Sequence, residues 1–424
     1  MPRTRASSSQ TDDDKRRWAP TPPLLRDPDG PGPEGLTIVG ELASPLGGLL
    51  WKTYRSILLW GQTDPEDRAG LFGTGTSKRR AGEIESVLEG ANLELREPLD
   101  VTVSMLTEPE VMEESRIGQA ARRISTWARS HPAPDTEFEF LRVAAAADPT
   151  NPHFALGVAE AARDRMLPAV AEAWYFRTIG LARRKADWPP YIEAYLAHGS
   201  MMLDRGSIPA ARESFLKGFR RATRLGQVEA KARALHSLFT LEGAAGNTDE
   251  APDFAGQAIE LLGAGHPELP PLARDLAFFW LRNRYFALAL DAFAAISERA
   301  PRAELPSILG GMARAAAATP DIERFEEARN RLSQLSGGPG VAEAWLDVAR
   351  AALQLGNSEA AEAAAGHARR LARQSPGGQI EFLAGVLLDK SDQDRHTRPE
   401  PNIDVDGRQS ALAERLIQLL SEPG

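Results

Sequence analysis

A small residue set four positions before an aromatic or a second small residue recurs along the chain: Ala171 with Tyr175, Ala211 with Phe215, Ala251 with Ala255, Ala289 with Phe293 and Ala361 with Ala365. The leading alanines stand 40, 40, 38 and 72 residues apart, the last interval being two units of 36. Self-similarity at such a period means that one supersecondary unit is copied along the chain, and this constrains the fold more than any other feature. A turn signal stands five residues before several markers: Gly206 before Ala211, Gly246 with Asn247 before Ala251, and Gly356 with Asn357 before Ala361. A helix that ends on Gly or Asn in the left-handed conformation, followed closely by a second helix, makes a tight antiparallel hairpin. The alanine permits close approach of the two helices, and the aromatic one turn on fills the gap to the next hairpin.

Between the polar ends of the chain helical patterns dominate. Ala supplies 67 of the 424 residues, a helix-former's composition. Only Leu99 to Met105 alternates like a strand, and it reads equally as buried helix. The expected fold class is therefore all-α.

The repeat residues resemble those of the tetratricopeptide repeat, whose motif runs W-x2-L-G-x2-Y, then A-x3-F-x2-A, then P. One unit offers Trp345, Val348, Ala349 and Ala352 on its first helix, then Gly356, Ala361, Ala365 and Ala368. Another offers Tyr195, Gly199, Met202, Ala211, Phe215 and Gly218, and a third Ala289, Phe293 and Ile296 with a closing Pro301. The resemblance implies a right-handed α-solenoid of antiparallel helix hairpins over residues 109–388, in about six repeats, with degenerate units centred on Glu137 and Phe325. Unit lengths of 36 to 40 residues exceed the usual 34 of such repeats, so several hairpins carry longer helices or loops.

Flanking segments differ in character. Residues 1–40 are polar and rich in Pro and Gly and read as a disordered arm, with no apolar stretch of the kind a secretory signal has. Residues 41–108 form a helical N-terminal segment without repeat character. It includes an amphipathic stretch, residues 44–61, flanked by Trp51 and Trp60 and containing Tyr54, which either packs on the repeats or docks a partner or membrane surface. Gly73 to Arg80 reads as a surface loop. Residues 389–408 read as a disordered linker and 409–424 as a short C-terminal helix.

Chemistry is conspicuous mainly by what is excluded. Without cysteine there are no disulfides, thiolate metal sites or thiol nucleophiles. The seven histidines include no pair at metal-ligand spacing on a helix. The glycines at 30, 32 and 35 are interrupted by Pro31 and Pro33, and Gly73 to Lys78 lacks the spacing of a phosphate loop. A net charge of −9 argues against a nucleic-acid footprint over the whole molecule. No apolar run approaches the ~20 residues of a membrane span. No cofactor, metal or catalytic constellation is expected, and the default location is the cytoplasm.

Function then falls to the concave face that the resemblance implies, where first helices receive extended or helical peptides. Its inward positions map onto His153, Leu156, Glu160 and Arg163, then Glu193, Leu196, Ser200 and Leu203. Arg233 and His236 follow, then Arg274, Phe278 and Arg282, and finally Glu343, Leu346 and Arg350. The Lys and Asn that clamp a peptide carboxylate in some of these repeats are absent, since Leu156 with Glu160 and Leu196 with Ser200 stand at those positions. A peptide-binding scaffold is the first expectation. The alternatives are a regulator with residues 41–108 as output module, touching nucleic acid through Ser77 to Arg80, and a membrane-peripheral assembly factor using Trp51, Tyr54 and Trp60.

Overall fold

The computed structural model describes residues 35–88, 90–335, 337–338, 340–373, 378–391 and 407–422. The described residues form twenty α-helices and no strand. The chain divides into two compact units, Met1–Arg221 and Ala222–Gly424. The first holds α1 (Leu36–Glu41), α2 (Leu46–Gln62), α3 (Thr76–Val87), α4 (Arg96–Thr107), α5 (Glu114–Ser130), α6 (Pro134–Ala147), α7 (Pro152–Asp164), α8 (Pro168–Lys185) and α9 (Trp188–Asp204). The division falls inside α10 (Ile208–Leu225). The second holds α11 (Val228–Ala245), α12 (Ala251–Leu262), α13 (Leu269–Arg282), α14 (Phe286–Ser297), α15 (Leu305–Ala318), α16 (Ile322–Ser333), α17 (Val341–Gln354), α18 (Ser358–Ala372), α19 (Gln379–Ser391) and α20 (Gly407–Ser421).

From α5 to α18 consecutive helices pair as hairpins, seven among the described residues against the six read from the sequence. Each marker alanine opens the second helix of its hairpin, and Ala171, Ala211, Ala251, Ala289 and Ala361 are all at most 2% exposed. One backbone bond closes most of the turns: the amide five residues beyond a carbonyl of the last helical turn donates back to it, as Leu167 to Ala162, Ser207 to Met202, Asn247 to Glu242, Tyr285 to Trp280 and Asn357 to Ala352, each at 2.9 Å. This bond requires a left-handed residue just past the helix. Gly206, Gly246 and Gly356 supply it with φ of 75°, 81° and 75°. Met166 and Arg284 adopt the same conformation at φ 59° and 66°, which is why those two turns carry no glycine signal in the sequence.

The tightest helix approaches fall on glycine. A Cβ on Gly199 of α9 would stand 2.5 Å from Phe215 of α10, and one on Gly311 of α15 would stand 2.5 Å from Phe293 of α14. Phe215 and Phe293 are thus seated on a first helix that lacks a side chain at the contact.

The N-terminal segment packs inward. Tyr54 and Trp60 are 0% exposed, and the Tyr54 ring meets Phe140 of α6 edge-on at 6.1 Å. The Trp60 indole donates to the Pro109 carbonyl at 2.7 Å, with the Arg68 guanidinium 3.7 Å from its ring centroid. The Glu41 carboxylate accepts from the Asp135 and Thr136 amides at 2.9 and 2.7 Å, capping α6 where no local side chain does. Tyr54 and Trp60 are therefore core residues and cannot form an exposed docking stripe, and Trp51 is only half exposed beside them. Two further expectations are corrected. Leu36–Glu41 is helical with Ile38 buried, inside the stretch read as a disordered arm, of which residues 1–34 lie outside the described ones. Ser77 to Arg80 belong to α3 and not to a loop; Arg80 is 7% exposed with its guanidinium donating to the Thr53 hydroxyl at 3.1 Å, while Lys78 and Arg79 are exposed. Leu99 to Met105 is helix α4.

In the second unit α20 returns onto α12 and α14, burying Ala413, Leu416, Leu419 and Leu420. Its Gln409 accepts from the Trp280 indole at 2.8 Å, Arg415 pairs with Glu260 at 3.3 Å, and Arg408 pairs with Asp253. Residues 392–406 of the expected linker lie outside the described residues; 407 and 408 are helical. No helix among the described residues is long and apolar enough to cross a membrane.

Candidate functional site

In the second unit the first helices α11 and α13 present parallel rows of side chains at helical steps: His236, Phe239, Thr240 and Gly243 on one, Asp275, Phe278, Phe279 and Arg282 on the other. Steps of three and four residues put each row on one face of its helix. Between the rows lies a cleft of about 250 Å3, floored by Phe239, Phe278 and Phe279 and edged by Thr240, Asp275 and Arg282. Small-molecule sites usually run to about 300–1,000 Å3, so this one is sized for a side chain more than for a cofactor. Gly243 keeps the cleft open, since a Cβ there would meet Phe279 at 3.3 Å.

Its walls are held from behind. Phe239 and Phe279 pack edge to face at 5.5 Å, and Phe278 meets Phe293 of α14 the same way at 4.9 Å. The polar end is a chain of ionic contacts: His236 Nε2 lies 2.9 Å from Asp275 Oδ2, Arg274 reaches Asp275 Oδ1 at 3.2 Å, and Arg274 also pairs with Glu304 at 2.9 Å. Burial by itself would push the Asp275 carboxyl up, but the hydrogen bond and charge of His236, with Arg274, outweigh it and hold Asp275 below its ordinary value. The opposite end carries Arg282, which is exposed. A seat with an aromatic floor, a fixed carboxylate at one end and a guanidinium at the other can hold an apolar side chain and orient the polar chain around it.

In the first unit, Arg163 on α7 and Glu193 on α9 act electrostatically on Glu160 of α7, and all three act on Tyr175 of α8. His153 Nε2 lies 2.9 Å from Asp187 Oδ2, just before α9. Burial first, then the Glu193 charge, pushes the Glu160 carboxyl above its ordinary value. His198, by contrast, is a packing residue: it is 6% exposed, its Nδ1 lies 2.9 Å from the Ser214 hydroxyl, and burial lowers its pKa.

Of the expected groove residues, the structure gathers His236, Arg274, Phe278 and Arg282 at the α11–α13 cleft, and Glu160, Arg163 and Glu193 in the first unit. Leu156, Leu196 and Leu346 are corrected: at 9%, 5% and 4% exposed they sit in the hydrophobic core and offer no apolar surface to a ligand. Leu196, for example, lies under α10, where a Cβ on Gly218 would be 2.9 Å from it. Leu203 is half-buried, and the Ser200 hydroxyl donates to its own helix at the Leu196 carbonyl, 3.2 Å away. Arg233 is half-buried on α11 without lining the cleft, and Glu343 and Arg350 are exposed on α17, which does not reach it. Asp275 and Tyr175 were not among the expected site residues, although Asp275 completes an i, i+3, i+4, i+7 row with Phe278, Phe279 and Arg282 that is visible in the sequence.

The hairpins, their recurrent turn and the position of the marker residues define the fold as an array of tetratricopeptide-type helical hairpins. No protein-family model matches the chain, and no curated protein matches it either. Among solved structures the chain is similar to the apo form of the quorum sensor NprR from B. thuringiensis, at 10% identity and TM-score 0.48 over 77% of this chain and 98% of that one. It is similar to a Rap protein complexed with competence and sporulation factor, at 12% identity and TM-score 0.45 over 81% and 100% of the two chains. The third is PilF of Pseudomonas aeruginosa, at 14% identity and TM-score 0.42 over 54% and 97%. No residue role passes from any of them to this chain.

Proposed function

We propose that this protein is a non-enzymatic scaffold that binds a protein partner through a peptide segment of that partner, laid across the first helices of the repeats. The α11–α13 cleft carries the reading. It combines an aromatic floor, room for one large side chain and opposite charges at its two ends, and its rings and carboxylate are already fixed by contacts behind them. Preorganisation of this kind lowers the ordering cost of binding. An apolar residue of the peptide fills the seat over Phe278, and polar groups on either side of it meet Asp275 and Arg282.

A random dodecapeptide library displayed on phage and panned on the full chain tests this. The expected result is enrichment of peptides with a large apolar residue at one fixed position, whose binding falls at least about tenfold in a Phe278→Ala variant, as loss of a buried anchor entails. Absence of any enrichment over an unrelated helical protein, or equal binding by the variant, would overturn the reading.

A further inference from the structure

A second surface lies wholly within the first unit and shares no residue with the α11–α13 cleft. On α9, Trp188, Tyr191 and Tyr195 recur at steps of three and four residues and so share one face of the helix. On α10, Lys217, Arg220 and Arg221 stand at i, i+3 and i+4 and share a face by the same rule. The two rows touch. The Arg221 guanidinium carbon lies 3.9 Å from the centroid of the Trp188 ring and 5.4 Å from that of Tyr191, and the Lys217 ammonium lies 5.4 Å from that of Tyr195. The rings brace one another edge-on, Trp188 to Tyr191 at 5.7 Å and Tyr191 to Tyr195 at 4.9 Å, and all three are half-buried.

Contact with a ring holds a guanidinium by its flat face and leaves the N–H groups, which lie in its plane, for other partners. Arg221 is half-buried, yet it makes no hydrogen bond or ion pair with the rest of the described chain, and neither does Arg220, exposed beside it. The acids closest to the two rows in sequence are spent elsewhere. Glu213, one turn before Lys217, pairs with that lysine at 2.7 Å, and Asp187, just before Trp188, has Oδ2 at 2.9 Å from His153 Nε2. A guanidinium fixed by stacking, with its five donors unspent, is a preformed receptor for an anion. The rings meet edge to face and Arg221 covers one face of Trp188, so they do not offer the run of open faces on which successive bases stack. The chain's net charge of −9 also opposes a polyphosphate. A carboxylate, which the planar fork of an arginine meets with two parallel hydrogen bonds, fits best.

We propose that Arg221, stacked on Trp188 and flanked by Arg220 and Lys217, receives the carboxylates of an acidic segment of a protein partner, rich in Asp and Glu. One carboxylate accepts from the free edge of the Arg221 guanidinium, and a neighbouring one meets Arg220. Trp188 is the positioning residue: it carries no charge of its own but removes the cost of ordering a long side chain when the acid arrives. The surface is separate from the α11–α13 cleft and stands or falls without it.

Fluorescence anisotropy of a labelled dodecapeptide of alternating Glu and Ser, titrated at low salt with the full chain, tests the proposal. A Gln-for-Glu version of the peptide and a deoxythymidine dodecamer serve as the other two probes. The parent should bind the acidic peptide and not the Gln version, and Arg221→Gln should bind it about tenfold more weakly. Trp188→Leu changes no charge and should still weaken binding about threefold or more, the ordering cost of one long side chain, while the double variant should be no weaker than Arg221→Gln alone. Arg302→Gln, which removes an exposed arginine of the second unit, should bind as the parent does. Circular dichroism identical to that of the parent verifies the fold of each variant. Absence of binding to the acidic peptide, an equal loss in Arg302→Gln, undiminished binding by Trp188→Leu, or tighter binding of the deoxythymidine dodecamer than of the peptide would each overturn the proposal.

Discussion

Replacing Gly199 by Ala isolates the close approach of α9 and α10. Two terms oppose each other. Ala in place of Gly inside a helix gains about 1 kcal/mol. The added Cβ, however, would stand 2.5 and 2.6 Å from Cε1 and Cδ1 and 3.1 Å from Cζ of Phe215. Those atoms belong to a ring that is 1% exposed, so it has nowhere to swing, and overpacking of this kind typically costs about 1–3 kcal/mol. The approach is closer than any real Cβ contact, which places the cost at the upper end and the net loss at about 1–2 kcal/mol. Gly180 on the adjacent α8 is the matched control, because a Cβ there meets nothing within 4 Å and only the helix gain remains. Urea unfolding followed by circular dichroism at 222 nm, with both variants beside the parent, should show opposite shifts: Gly199→Ala to lower denaturant and Gly180→Ala to higher. If Gly199→Ala is as stable as the parent while Gly180→Ala gains, the two helices do not meet through that glycine and the account of the repeat contact fails.

Leu196 is buried in the hairpin core, so Leu196→Ala should cost about 2–5 kcal/mol of stability by thermal or urea unfolding, an effect that a groove residue facing solvent would not have. Acid should destabilise the protein in two steps. His198, whose folded pKa is lowered, contributes stability that is whole above its ordinary 6.5 and declines as pH falls below it; Asp275 does the same below its ordinary 3.8. A His198→Gln variant should lack the first decline in a pH series of urea midpoints. Glu160 has the opposite sign: its raised pKa means that stability present below 4.5 is lost as pH rises, so Glu160→Gln should be more stable than the parent at pH 7 and equal to it at pH 4. Leu416 of α20 is 0% exposed, and Leu416→Ala should lower the stability of the second unit by about 2–5 kcal/mol, readable as faster amide exchange in α12 and α14.

The period of the marker alanines was enough to place the second helix of five hairpins, because the need for a small residue where two helices cross is a local requirement written at one position. The seat of each aromatic was not legible: Phe215 rests on Gly199 of its own hairpin, whereas Phe293 rests on Gly311 of the next, and only the packing decides between them. The turns at Met166 and Arg284 were silent because the backbone there holds a left-handed residue without glycine, against a penalty of about 1–2 kcal/mol. The resemblance places Leu156, Leu196 and Leu346 at inward positions, but units of 36 to 40 residues do not keep the phase of the usual 34. A helix buried on most sides turns its leucines into the core and leaves its surface row to charged and aromatic side chains, as α11 and α13 show. Tyr54 lies on the amphipathic stretch and Trp60 flanks it, as the local pattern shows; what they face, Phe140 and the Pro109 carbonyl, is a long-range contact that no local pattern carries.

Hydrogen–deuterium exchange of the full chain with and without a phage-selected dodecapeptide tests whether the rows on α11 and α13 receive a peptide. Protection should rise in residues 236–244 and 275–282, and the rise should vanish in Phe278→Ala. Protection confined to the second helices α12, α14 or α16, with these two stretches unchanged, would contradict it.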